Sequence, residues 1–182
     1  PPSSEDALLA DLAEAGGLEA VLSGRSQLPG GDAAIATSGV SSKNVAAAAT
    51  WVVVCTPKAN NPHVSRQTGP RSLPGVIFKT TVTCVGSGPH PAAVTVRVRG
   101  LLNFMPAENE RDTDGTWRGV LRSDYTQSIL VNGKKYTFYT PMSEYRGAVG
   151  RGFYRGTGTT QIIVPAGLTS GSNTSGVFWL TL

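Results

Sequence analysis

The fold is decided by residues 76–84, VIFKTTVTC, in which every second side chain from Val76 to Cys84 is apolar or threonine. Such alternation places successive side chains on opposite faces of a β-strand, and Cys84 then lies on the apolar face. Residues 50–55, TWVVVC, form a second run rich in β-branched residues, which ends at Cys55. The two runs predict two strands whose sulfur atoms point into one core.

A disulfide between Cys55 and Cys84 is the favoured interpretation of this pair. It would close a loop of about 29 residues and add about 3 kcal/mol to stability by restricting the unfolded chain. Two reduced, buried cysteines are the alternative. A zinc site is disfavoured because no Cys-x-x-Cys pair occurs and only His63 and His90 could assist. Since disulfides persist in oxidising compartments, the pair predicts a secreted, extracellular protein made with a signal peptide.

The composition is typical of one turn-rich β domain. Charged residues make up 15% of the 182 residues, against roughly 25% in typical soluble proteins, and the chain holds 22 Gly and 12 Pro. The apolar content of 40% and the absence of heptad or Gly-X-Y periods exclude a coiled coil, a collagen-like chain and an ordinary disordered protein. No apolar run approaches the roughly 20 residues of a membrane helix.

The pattern after the cysteine strands is β throughout. Residues 93–104 alternate and predict a long, half-buried strand. Residues 126–131 and 134–140 flank Asn132-Gly133, the pair favoured in type I′ turns, and predict a β-hairpin. About seven to nine strands predict an all-β fold, an antiparallel β-sandwich of jelly-roll or immunoglobulin-like type with a short helical N-terminal extension. The shorter predicted strands are 116–121, 153–154, 159–164 and 176–182.

The chain before these strands differs in character. Residues 1–24 hold leucines at helical spacing behind acidic residues, which predicts an acidic helical N-terminal segment. Residues 25–48 are rich in Gly, Ser and Ala and predict a linker. The β-sandwich domain is then expected to span residues 49–182.

Charge is divided unevenly along the chain. Residues 1–32 carry one basic and six acidic residues, a net charge of −5, whereas the other 150 residues carry 15 basic and six acidic residues, a net charge of +9. The overall charge of +4 therefore combines an acidic segment with a basic body. Opposite charge favours docking of the segment on its own domain, and a basic partner is the alternative.

The sequence lacks the residue constellations that catalysis requires. No Gly-x-Ser-x-Gly motif occurs, and His63 and His90 lie in proline-flanked stretches that predict turn residues. Four carboxylates crowd residues 107–115, but their spacing does not match an EF-hand, so a solvated loop is expected. Phosphate-cradling motifs are missing as well. We predict a protein that is not an enzyme and has no metal site and no cofactor.

Five basic residues are candidates for binding a polyanion. Arg97 and Arg99 share the polar face of one predicted strand, and Lys79 faces outward from another, so a basic stripe results if these strands are neighbours. Arg151 and Arg155 are interleaved with Gly and aromatic residues, as in single-strand nucleic-acid binders, although the same glycines fit a bulged strand. We expect an anionic glycan more than nucleic acid. The aromatic residues that could form a sugar-stacking platform, or belong to the core, are Trp117, Tyr125, Tyr136, Tyr139 and Tyr154.

Residues 55–65, CTPKANNPHVS, followed by the second cysteine strand, resemble small exported β-sandwich proteins of actinomycete-type bacteria. In those proteins a Cys strand is followed by an Asn-Pro-His-x-Ser loop and a second Cys strand. The resemblance implies a bacterial, non-enzymatic module, in some cases an adaptor subunit of a secreted antibacterial toxin particle.

Three functions remain as hypotheses. The first is a secreted binding or adaptor module that engages a protein partner, in the setting of bacterial competition, through its N-terminal segment or a sheet edge. The second is a recognition domain for a cell-surface glycan or polyanion, which would use the Arg97 and Arg99 face and exposed tyrosines. The third is a capsid-like or other self-assembling shell protein, although an acidic N-terminal arm is unsuited to packaging RNA.

Overall fold

The computed structural model describes residues 33–37, 51–68 and 73–182. These ranges contain strands and no helix. The predicted helical segment 1–24 lies outside the described residues. In chain order the strands are β1 (Ala34–Thr37), β2 (Val52–Ala59), β3 (His63–Thr68), β4 (Leu73–Ser87), β5 (Ala93–Pro106), β6 (Arg118–Leu130), β7 (Lys135–Thr140), β8 (Gly152–Val164), β9 (Ser170–Thr174) and β10 (Phe178–Leu180).

The strands form two antiparallel sheets with a shared core, which confirms the predicted all-β, sandwich-like class. In the first sheet, the order is β1-β2-β4-β3, and β7 also pairs with β4. β2 and β7 lie on opposite sides of β4, because both pair with its residues 80–83. In the second sheet, the order is β10-β8-β5-β6, and β9 also pairs with β8.

The predicted disulfide is confirmed. Cys55 on β2 and Cys84 on β4 stand directly opposite each other and are joined by a bond. Both cysteines are fully buried and pack with Val53 and Val82, as the alternation of the two runs predicts. The pair is therefore a cross-link inside the core, and the alternative of two reduced cysteines is wrong.

The predicted β-hairpin at Asn132-Gly133 is wrong. Gly133 has a positive φ of 77°, as expected in a tight turn, but β6 pairs with β5 while β7 pairs with β4. The Gly133 N–H donates to the Cys84 carbonyl, with 2.9 Å between nitrogen and oxygen. The turn thus connects the second sheet, which contains β6, to the first sheet, which contains β7. The two strands do not pair with each other, because each pairs with a strand earlier in the chain.

Part of the predicted linker 25–48 belongs to the fold. β1 pairs with β2, and its Ile35 is fully buried. The Ile35 N–H also donates to Thr169 Oγ1 at 3.0 Å, which ties β1 to the chain between β8 and β9. The linker prediction is thus wrong for Ala34–Thr37, because a run of four residues is too short to show a strand period.

Three further differences concern strand boundaries. His63, predicted in a turn, is the first residue of β3. The predicted strands 116–121 and 126–131 fall in β6 except for residues 116, 117 and 131, and the predicted strands 153–154 and 159–164 are parts of β8. β9 was not predicted, since its sequence, SGSNT, carries no strand signal.

A polar waist, which we define as Thr80, Gly100, Ser123, Thr140 and Gly158, divides the core. On β4, Thr80 separates Phe78 of one apolar cluster from Val82 of the other. Gly100 pairs with Gly158 across β5 and β8, and a Cβ atom on Gly100 would overlap Thr140 Oγ1. The Ser123 and Thr140 hydroxyls are buried and hydrogen-bonded to each other at 2.7 Å. The glycines therefore let the two sheets approach closely at this level.

We expect Thr160→Val to raise the free energy of unfolding by about 1 kcal/mol. Thr160 is fully buried on β8, and its hydroxyl has no hydrogen-bond partner in the described part of the chain. Valine has the same shape without the polar atom. Urea denaturation measures the change, and Thr140→Val, which breaks the bond to Ser123, is the control expected to destabilise. An equal loss of stability in both variants would contradict the expectation.

Candidate functional site

The outer face of the second sheet is strongly basic. Its five strands hold five arginines and a single acid, Asp124. Arg97 and Arg99 lie on β5, where they alternate with buried valines, so they face away from the core. We call the outward-facing set Arg97, Arg99, Arg122, Asp124 and Arg155 the basic face. In the register of the sheet, β5 pairs its Arg99 with Asp124, its Leu101 with Arg122 and its Asn103 with Arg155.

Asp124 is bound mainly to one of these arginines. The Arg97 guanidinium donates to both carboxylate oxygens, at 2.9 Å from Nε and 2.6 Å from Nη2. The Nε atom of Arg99 lies 3.8 Å from the same carboxylate. The hydrogen bond from Arg97 lowers the pKa of Asp124, so that this carboxylate stays ionised until the pH falls below the usual range of an aspartate. The four arginines and the one aspartate of the basic face together carry a net charge of +3.

Arg99 and Arg122 retain donors for a ligand. The side chain of Arg122 has no hydrogen-bond or ion-pair partner among the described residues. The two arginines are diagonal neighbours across β5 and β6, about 7 Å apart at their backbones. A depression of about 610 Å³ lies beside them. Its other lining residues include Leu101, Met142, Thr157 and Thr159.

The structure brings together three of the five predicted polyanion-binding residues. Arg97, Arg99 and Arg155 share the basic face, although the Arg155 guanidinium lies over the Trp117 ring at 4.4 Å from its centroid. Lys79 lies on β4 in the other sheet, so the predicted basic stripe with Arg97 and Arg99 does not form. Arg151 precedes β8 and forms an ion pair with Glu108 at 3.7 Å.

Arg122 and Asp124 were missed by the sequence analysis. Both alternate with Ser123 and Tyr125, which face the core side of β6. Residues 118–130 contain polar residues on both faces, so their period is weak. Only the pairing of β6 with β5 places Arg122 and Asp124 beside the predicted arginines.

A second concave surface lies on the outer face of the first sheet. It is a groove of about 550 Å³, which we call the tyrosine groove and define by His63, Lys79, Tyr125, Tyr139 and Tyr145. Lys79 and Tyr139 are directly paired on β4 and β7, and the Lys79 ammonium lies 5.3 Å from the centre of the Tyr139 ring. Tyr125 reaches across from β6 and donates its hydroxyl to the Tyr139 carbonyl at 2.9 Å.

The predicted aromatic platform is split by the fold. Only Tyr125 and Tyr139 of the predicted set line the tyrosine groove. Tyr154 is fully buried, and burial raises its pKa to about 12. Tyr136 accepts a hydrogen bond from the Leu130 N–H at 3.1 Å, and Trp117 lies beneath Arg155. Tyr145, which was not in the predicted set, completes the groove from the loop after β7.

The other candidate residues stay apart from one another. The His90 ring packs against Gly86, far along β4 from the part that pairs with His63. Within residues 33–37, 51–68 and 73–182, no group of three or more His, Cys, Asp or Glu residues could hold a metal ion. In the carboxylate-rich loop, Asp112 accepts a hydrogen bond from the Glu108 N–H at 3.2 Å. In the same ranges, no helix is long and apolar enough to cross a membrane.

Comparisons with family models, with curated proteins and with solved structures find no match to this chain. The resemblance to exported actinomycete β-sandwich proteins therefore stays a prediction. The buried disulfide indicates an oxidising environment such as the extracellular space.

Proposed function

We propose that this protein is an exported, non-enzymatic binding module that recognises an anionic polysaccharide through its basic face. The observation that carries the proposal is the charge of that face, which holds four arginines and a single carboxylate that is already bound to Arg97. Planar guanidinium groups bind sulfate and carboxylate groups through paired hydrogen bonds. Arg99 and Arg122 are close enough to bind one acidic group together or two successive groups of a chain.

The chemistry around the arginines favours a polysaccharide over a protein. The residues beside them on β6, β8 and β9 are mostly threonine, serine and glutamine, and Leu101 is the apolar residue of the depression on β5. Protein interfaces depend on large aromatic anchors at their centre, and no aromatic residue lines the depression among the described residues. Hydroxyl side chains instead suit the hydrogen-bonding groups of sugars. The adaptor and shell hypotheses accordingly stay predictions from the sequence.

Nucleic acid is the less favoured polyanion. Single-strand binders stack bases on exposed aromatic rings. The Trp117 ring beside the basic face is covered by the Arg155 guanidinium. The face therefore offers charge and hydroxyl groups but no stacking surface beside Arg99 and Arg122.

We expect Arg99→Gln/Arg122→Gln to weaken binding to immobilised heparin, a sulfated polysaccharide, roughly tenfold. The double variant should leave the column at a lower NaCl concentration than the wild type. Asp124→Asn should have the opposite effect, because it releases Arg97 and removes the negative charge of the face. Salt-gradient elution measures both shifts.

The control is Lys134→Gln/Lys135→Gln, which removes the same charge from the turn before β7 and the start of that strand. It should elute close to the wild type, since neither lysine belongs to the basic face. If the two double variants elute together, binding depends on overall charge alone, and the proposal fails. It fails as well if the wild type does not bind heparin in low salt.

A further inference from the structure

The tyrosine groove holds none of the arginines of the basic face, although Met142 lines both the groove and the depression beside Arg99. His63 pairs with Ile77 and Lys79 pairs with Tyr139, so these side chains stand on the outer face of the first sheet. The arginines of the basic face stand on the second sheet, and none of them lines the groove. A ligand in the tyrosine groove would therefore be a second ligand, and its binding can be measured separately.

The groove presents two aromatic rings to solvent. Tyr139 is 46% exposed and Tyr145 is 58% exposed. Neither phenol hydroxyl has a hydrogen-bond partner in the part of the chain that the structure describes. Tyr125 supports the strand that carries Tyr139, since its ring packs on Phe138 at 5.4 Å between centroids and its hydroxyl donates to the Tyr139 carbonyl. The groove thus presents two exposed rings and two phenol hydroxyls, and the Tyr139 ring also has the Lys79 ammonium 5.3 Å from its centre.

Polar donors lie beside the rings. The Lys79 ammonium lies over Tyr139, and ion pairs to Lys79 are lacking among the described residues. The Nδ1 atom of His63 lies 3.2 Å from the Asn61 carbonyl, and its Nε2 atom has no partner in the described ranges. The groove therefore combines apolar ring faces with an ammonium, an imidazole nitrogen and phenol hydroxyls.

This combination matches the chemistry of a sugar ring. A hexopyranose has an apolar C–H face that packs on an aromatic ring and a rim of hydroxyl groups that need hydrogen-bond partners. A wholly apolar ligand would displace the water bound to Lys79 and His63 without offering these groups new hydrogen bonds, which is unfavourable. A cationic ligand would be repelled by the positive charge of Lys79. The volume of about 550 Å³ lies within the usual range of small-ligand sites.

We infer that the tyrosine groove is a second binding site, which takes the hexopyranose units of a neutral oligosaccharide. Tyr139 and Tyr145 stack on the sugar rings, and Lys79 and His63 donate to or accept from their hydroxyl groups. This inference goes beyond the proposed function and does not depend on it. Neutral sugars have no charged group that the arginines of the basic face could bind. Their binding therefore tests the tyrosine groove alone, and either proposal can fail without the other.

The test is isothermal titration calorimetry of the full chain with three neutral hexasaccharides: cellohexaose, chitohexaose and mannohexaose. We expect at least one to bind with a Kd of about 1 mM or tighter. Tyr139→Ala and Tyr145→Ala should each weaken that binding at least about tenfold. Tyr145→Phe should stay within about threefold of the wild type, because it keeps the ring. The basic-face variant Arg99→Gln/Arg122→Gln should bind the neutral sugar as the wild type does.

Two results would overturn the inference. One is the absence of binding by all three hexasaccharides at concentrations of about 10 mM. The other is equal binding by the wild type and by folded Tyr139→Ala and Tyr145→Ala proteins. Because both tyrosines are exposed, their truncation should leave the far-ultraviolet circular dichroism unchanged, which is the check on folding.

Discussion

The Cys55→Ala/Cys84→Ala protein should lose about 3 kcal/mol of its free energy of unfolding, or more. The bond joins residues 29 positions apart, and restricting a loop of that length in the unfolded chain accounts for the estimate. Both cysteines are also fully buried, so that alanine leaves space where the sulfur atoms were. Chemical denaturation at neutral pH, followed by tryptophan fluorescence, measures the loss.

Reduction of the wild type separates the two causes. A reducing agent should lower the denaturation midpoint of the wild type and leave that of the double alanine variant unchanged. The remaining difference between the reduced wild type and the variant is the cost of the missing sulfur atoms. If full reduction, checked by thiol alkylation, leaves the wild-type midpoint unchanged, the disulfide does not stabilise the fold.

Gly100→Ala should lower the free energy of unfolding by about 3 kcal/mol. A Cβ atom at this position would overlap Thr140 Oγ1 and lie 2.7 Å from Ser123 Oγ. Both hydroxyls are buried and bonded to each other, so neither can move into solvent. The two sheets would have to separate at the polar waist. Thermal unfolding and chemical denaturation together measure the effect.

A double-mutant cycle tests the stated cause. Thr140→Ala removes the overlapping atom and costs stability by itself, because it leaves Ser123 without its partner. If overlap is the reason, Gly100→Ala/Thr140→Ala should be more stable than the sum of the two single losses predicts. Strict additivity would show instead that Gly100 matters for another reason. Gly176→Ala is a control at an exposed glycine outside the strands, where the Cβ atom would lie 3.0 Å from the ring of Phe178, a side chain that is itself exposed.

The sequence predicted strands well where a single face is buried. Residues 76–84 and 93–104 alternate clearly in sequence, because one face of β4 and β5 packs in the core and most residues of the other face are at least partly exposed. The same alternation placed both cysteines on core faces. It failed at the Asn132-Gly133 turn, since a local turn signal says nothing about which strands pair on either side.

The candidate sites were predictable only in part, for the same reason. Arg97 and Arg99 could be grouped because they share one strand. Arg122 joins them by pairing across β6, and Tyr145 joins Tyr139 through a loop that folds beside β7. Such groupings depend on strand order and register, which the pattern of one strand does not contain. For the same reason Lys79 was grouped with Arg97 and Arg99, although β4 and β5 lie in different sheets.

Strand β1 determines where this protein can be shortened. It pairs with the outer edge of β2 at residues 52–55. Its Ile35 also donates to Thr169 Oγ1 and accepts from the Leu168 N–H, which ties β1 to the chain between β8 and β9. A chain beginning at residue 49, the start of the domain predicted from sequence, would leave that edge open and the space of Ile35 empty. Open edges pair with other chains, which leads to aggregation. A shortened protein that stays soluble should therefore begin before Ala33.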